Sequence, residues 1–104
     1  MTHNHTTELD TLVGSAQHRL DALRETHERL DRIRIRRTSP DNLVTVVADG
    51  SGAMVELELA ENLRSVAAHA LAATITGTAA EAAAAALDQR EAILQSLQGS
   101  FTDS

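Results

Sequence analysis

From residue 9 onward, apolar side chains recur at spacings of three and four: Leu9, Leu12, Val13, Ala16, Leu20, Leu23, Leu30 and Ile33. That spacing puts a narrow apolar stripe on an otherwise charged helix and predicts a long N-terminal helix reaching about Arg32. Thr7, followed by Glu8, Leu9 and Asp10, marks its start, because acids in a first turn suit the helix dipole. Residues 1–6 are polar and read as a disordered arm. Positions 9, 16, 23 and 30 also lie seven apart, which permits coiled-coil-like pairing. Arg19 and Thr26 interrupt the second seam and argue against a long zipper.

The period then changes from 3.6 to 2. Ile33 and Ile35 alternate with Arg34 and Arg36, the pattern of a half-buried strand. Ser39-Pro40-Asp41-Asn42 supplies turn chemistry, since proline presets φ and asparagine tolerates the left-handed region. Leu43 to Ala48 is apolar and β-branched on both faces, with Val44 and Val46 pointing one way and Leu43 and Val47 the other. Asp49-Gly50-Ser51-Gly52 reads as a second turn. From Ala53 to Leu59, Val55, Leu57 and Leu59 alternate with Met54, Glu56 and Glu58. Two turns joining three strands predict an antiparallel meander.

The remainder reads as a second long helix from an N-cap at Ser65 to about Gln98, carrying Leu71, Ile75, Leu87, Ile93, Leu94 and Leu97. Gly77 among Thr74, Thr76 and Thr78 is a soft point, and Thr78-x-x-Glu81 matches a capping box that would restart a broken helix. Residues 99–104 read as a flexible tail. The fold class is therefore α+β: long N-terminal helix, three-stranded antiparallel meander, long C-terminal helix, in one domain over residues 7–98. A middle strand that is apolar on both faces needs cover on both sides. A two-fold homodimer would supply it, with Leu43, Val44, Val46 and Val47 at the interface.

Composition narrows the function. Cysteine is absent, which removes disulfides, thiolate metal sites and cysteine nucleophiles. No apolar run approaches the roughly 20 residues of a bilayer span, and the first residues lack the apolar core of a signal peptide, so a cytoplasmic setting is expected. All nine basic residues are arginine. Between positions 19 and 37, seven arginines face four acids for a net +3, whereas the rest of the chain carries two arginines against eleven acids, a net −9. A basic segment on an acidic body is the one clear electrostatic asymmetry.

Helix, Ser39-Pro40-Asp41-Asn42-Leu43-Val44-Thr45-Val46, Asp49-Gly50-Ser51-Gly52, Val55-Glu56-Leu57-Glu58-Leu59 and an alanine-rich helix together resemble the YbaB/EbfC nucleoid-associated family, in its Ala/Arg-rich actinobacterial form. The likeness spans about residues 8 to 97 and is most specific over 39–59. Asn42 stands where the family usually has glycine. The resemblance implies a small dimer whose helices project from a central sheet and grip duplex DNA with limited sequence preference. Some relatives beside secretion systems are implied to be partner proteins instead.

The arginines are the main candidate chemistry. Arg29, Arg32, Arg34, Arg36 and Arg37, with Arg19 and Arg24, would contact phosphates through their guanidinium forks. The competing reading is internal pairing. Glu28 lies four residues from both Arg24 and Arg32, Glu25 lies four from Arg29, and Arg34 and Arg36 can lie over the face carrying Glu56 and Glu58. The histidines offer less. His3 and His5 sit on the polar arm short of a ligand set, His18 and His69 are isolated, and His27 falls on the apolar stripe as a packed or hydrogen-bonded imidazole. No phosphate-binding glycine loop or nucleophile elbow is present, so no enzyme activity, cofactor or metal is expected. The basic helix lacks interfacial aromatics, so no membrane partner is expected either. Two functions remain: a homodimer on double-stranded DNA, and an adaptor of the same fold that binds a protein partner with weak or no DNA affinity.

Overall fold

The computed structural model describes residues 2–102, with side chains described over 7–101. Helix α1 (Thr2–Asp31) leads into strands β1 (Arg34–Thr38), β2 (Val44–Asp49) and β3 (Met54–Leu59), and helix α2 (Ala68–Thr102) closes the chain. The strands form one antiparallel sheet in the order β1-β2-β3. The molecule measures 83 × 20 × 15 Å, because both helices outreach the small sheet. Helix α1 begins at Thr2 instead of the expected Thr7, so the backbone of residues 2–6, expected as a disordered arm, is helical; the side chains of residues 1–6 lie outside the described ones.

The turns form where the sequence places them. Between β1 and β2, Ser39 is buried and its hydroxyl donates to Asp41 Oδ1 while accepting the Val44 N–H at 3.1 Å. The same carboxylate oxygen accepts the Leu43 N–H at 3.1 Å, and Asn42 takes the left-handed conformation at φ 61°. Between β2 and β3, Asp49 Oδ1 accepts the Ser51 N–H at 2.9 Å, the Ser51 hydroxyl at 2.6 Å and the Ala53 N–H at 3.1 Å. Gly50 tucks this turn against the end of α1, where an added Cβ would meet the Leu30 carbonyl oxygen at 2.9 Å. Gly52 supplies the positive φ of 84°.

The core lies between one sheet face and α2. Register puts Ile35, Val44, Val46 and Ala48 on that face, where they meet Ala82, Ala86 and Ile93. Val44, Val46, Ala82 and Ala86 are all at 0% exposure. Alanine lets the helix approach closely, since a larger side chain would lift it off the valines. The middle strand is thus covered on this face within a single protomer. On the other face Val47 is also buried, although no helix lies over it.

Four local expectations need correction. The second helix starts at Ala68 rather than from a cap at Ser65, because residues 63–66 form a separate turn closed by the Val66 N–H and the Leu63 carbonyl at 3.1 Å. It runs past Gly99 to Thr102, through residues expected as a tail; at Gly77 it is continuous as expected, and the Thr78 hydroxyl bonds back to the Thr74 carbonyl at 2.7 Å instead of capping a restart. The alternation of β3 is interrupted: Val47 pairs Glu56 but Ala48 pairs Met54, leaving Val55 as the extra residue of a bulge. The Ala68–Phe101 stretch is also long and apolar enough by length and composition to cross a membrane, contrary to the short runs expected. Alanine supplies that hydropathy, and Ala82, Ala86 and Ile93 use it against the sheet.

The two aspartate turns set a stability prediction. Hydrogen bonds from Ser39 and the Leu43 N–H hold the Asp41 carboxyl below its ordinary value, and those from Ser51 do the same for Asp49. A depressed folded-state value stabilises the fold above the unfolded carboxyl's titration, near pH 4, and that contribution is lost as pH falls through the lower folded value. Urea midpoints should therefore decline below about pH 4, and less steeply in Asp49→Asn. Ser39→Ala, which leaves the buried Val44 N–H without its side-chain acceptor, should cost about 1–3 kcal/mol in the same assay.

Candidate nucleic-acid interface

The arginines fall into two groups with different fates. Those of β1 are largely engaged by the fold. Arg34 donates through Nη1 to the carbonyls of Ile33 at 2.7 Å and Asp31 at 3.2 Å, occupying the acceptor end of α1. Arg36 reaches across the sheet to Glu58 at 2.8 Å and Glu56 at 3.9 Å. Because Arg36, Val47 and Glu56 occupy one cross-strand row, this side chain passes over Val47 and accounts for its burial without a helix. Arg37 donates to the Arg36 carbonyl at 3.1 Å and stays exposed.

The helical arginines are free of such partners. Arg19, Arg24, Arg29 and Arg32 are exposed, and among the described residues none of them has a salt bridge. The pairs available from spacing, Glu28 with Arg24 or Arg32 and Glu25 with Arg29, are not formed. Arg29 and Arg32 sit together on the wall of a groove between α1 and α2, opposite Gln89. Arg19 and Arg24 lie further out along α1.

A second groove, at the junction of α1, β1 and the Asp49–Gly52 turn, gathers Arg34 and Arg90 with Asp31, Asp49 and His27. Its charges of opposite sign offset one another. His27 is not packed on the apolar stripe: its side chain is 76% exposed, and Nε2 lies 3.4 Å from Asp31. Sequence reasoning missed Arg90 and Gln89. Both lie in the C-terminal half of α2, and nothing in the local pattern tells which side of that helix α1 meets. His3 and His5 lie outside the described side chains.

The apolar positions expected to face a second copy divide as well. Val44 and Val46 are enclosed by α2, Val47 is covered by Arg36, and Leu43 packs at the core's margin. The exposed apolar side chains lie elsewhere, at 40–51% over Met54, Val55, Leu57 and Leu59 of β3, at 46–66% over Leu9, Leu12, Val13, Leu20 and Leu23 of α1, and at 38–47% over Leu87, Leu94 and Phe101 of α2.

The architecture is a three-stranded meander backed by one long helix, with a second helix carrying exposed arginines that form no salt bridge. The chain belongs to the YbaB/EbfC DNA-binding family, whose sequence model matches residues 6–101. This is a family of DNA-binding proteins, not of enzymes. No curated protein matches the chain.

The charge bridge on the sheet makes a prediction for the stability of the free protein. Arg36→Ala and Glu58→Ala should each lower stability by about 0.2–1 kcal/mol, as befits an exposed ion pair. The double variant should cost less than the sum, as read by a thermal-denaturation cycle.

Proposed function

We propose that this chain is a nucleoid-associated homodimer that binds duplex DNA through phosphate contacts with little sequence specificity. The observation that carries this reading is the set of exposed arginines without ion pairs on α1, Arg19, Arg24, Arg29 and Arg32, joined by Arg37 at the sheet's edge. Guanidinium groups held off internal carboxylates are available for phosphate oxygens. Arg34 and Arg36 contribute less, because carbonyls and glutamates already occupy them. Base readout is not part of the proposal: no Asn and Arg set converges on one exposed recognition helix. A nucleoid location in the cytoplasm follows from this reading.

Dimerisation rests on β3. It is an edge strand with all six residues exposed, and its Leu57 and Leu59 lie on the core side of the sheet beyond the reach of α2. An exposed apolar edge is a template for pairing, and a second copy would cover it symmetrically. Two-fold symmetry would then double the arginine set. The exposed stripe of α1 supports a second reading, an adaptor of the same fold that holds a protein partner through apolar contacts.

Fluorescence anisotropy of a labelled duplex separates the two. Binding should weaken by at least about tenfold between 50 and 200 mM salt, since counterions compete for phosphates. Changing Arg19, Arg24, Arg29 and Arg32 together to Ala should abolish it, whereas changing Arg34 and Arg36 should reduce it only modestly. Absence of binding at low salt would favour the adaptor. Light scattering tests the dimer: Leu57→Asp with Leu59→Asp should convert a dimeric wild-type protein to monomer.

A further inference from the structure

Of the grooves that α1 shares with its neighbours, one carries positive charge with no carboxylate in its lining. It lies between the end of α1 and the C-terminal half of α2, has a volume of about 360 Å³, and is lined by Arg29, Arg32, Gln89, Ala92 and Ile93. No carboxylate lines it. The groove on the other side of α1, of equal size, holds Asp31 and Asp49 beside its cations. Coulomb attraction for an anion therefore favours the first site and nearly cancels at the second.

Three features prepare the first groove for phosphate. Arg29 and Arg32 are three apart on α1, so their side chains rise from adjacent positions on one helix face. Neither has a salt bridge among the described residues. The negative end of the α1 dipole would oppose an anion here, but the Arg34 guanidinium already sits on the terminal carbonyls of Asp31 and Ile33. Arg34 thus acts as a positioning residue that leaves Arg29 and Arg32 free. Gln89 faces them from α2 with an amide able to donate to a phosphate oxygen, while Ala92 and buried Ile93 add no polar competitor.

We infer that this groove seats a backbone phosphate of duplex DNA, held by Arg29 and Arg32 from α1 and by Gln89 from α2. The inference rests on the DNA-binding reading above and adds a definite seat and a contact from the second helix. It makes α2 part of the DNA-binding surface, and it fixes the duplex against the root of the helices instead of their far ends.

The test uses the full-length chain and a labelled duplex of random sequence, titrated by anisotropy across a salt series. Arg29→Ala with Arg32→Ala should lower affinity by about tenfold or more at low salt. It should also flatten the slope of log affinity against log salt by about 1 per protomer, the share of one phosphate. Gln89→Glu, which sets a carboxylate against both guanidinium groups, should weaken binding more than Gln89→Ala. Arg64→Ala, a cation removed outside the groove, should change affinity by less than about twofold. All substituted side chains are exposed, and far-UV circular dichroism checks that each variant keeps its helices. If the double variant binds DNA with wild-type affinity and slope, the groove is overturned while DNA binding stands. Equal behaviour of Gln89→Glu and Gln89→Ala would remove Gln89 from the site. A wild-type chain that does not bind at low salt overturns the groove and the DNA reading together.

Discussion

One helix can cover only two strands. An α-helix with its side chains is about 10–12 Å across, and neighbouring strands lie about 4.8 Å apart, so α2 shields β1 and β2 and runs out before β3. The alanines at 82 and 86 tighten this constraint, because they bring the helix down onto Val44 and Val46 and leave no long side chain to spread sideways. The exposed apolar edge of β3 follows directly. So does the small size of the core.

The electrostatic organisation follows from the same geometry. With α2 on one face, the opposite face of the sheet must protect Val47 by other means, and Arg36 does so by lying across it toward Glu56 and Glu58. Arg34 is drawn to the carbonyl end of α1, which has no continuing helix to satisfy it. Two of the seven clustered arginines are thereby committed to the fold. Those on α1 are exposed and form no salt bridge with the carboxylates of the same helix, and this sorting separates structural from available positive charge.

Much of this was legible in the residues. The switch of period at Ile33, the Pro-Asp turn and the Gly-x-Gly turn gave the element order, and Arg36 over the glutamate face was foreseen as an alternative to DNA contact. Other features depend on tertiary placement. The burial of Val44 and Val46 within one chain requires knowing which strands α2 crosses. The bulge at Val55 arises from pairing with β2, since residues 53–59 alternate without a break in the sequence itself. Gly77 looks like a breaker locally, but Thr78 and Ala82 are buried just beyond it, and that packing favours one continuous helix. Gln89 and Arg90 carried no local signal, because their relevance comes from what α1 presents opposite them.

The unbroken passage of α2 through Gly77 has a mechanical consequence. At 1.5 Å per residue, the stretch from Ala68 to Gly77 is a rod of about 13 Å before the first fully buried turn at Thr78, touching the core through partly buried Leu71 and Ile75. Glycine lacks the side chain that would stiffen this point, and the hydroxyls of Thr74, Thr76 and Thr78 bond back to carbonyls one turn earlier, a pattern that softens helices. A bend of about 10° there would swing the start of the helix by about 2 Å. The half beyond Gly77 is clamped by Ala82 and Ala86, and the half before it is held more lightly through Leu71 and Ile75, so the sheet grips the two ends of α2 with different firmness.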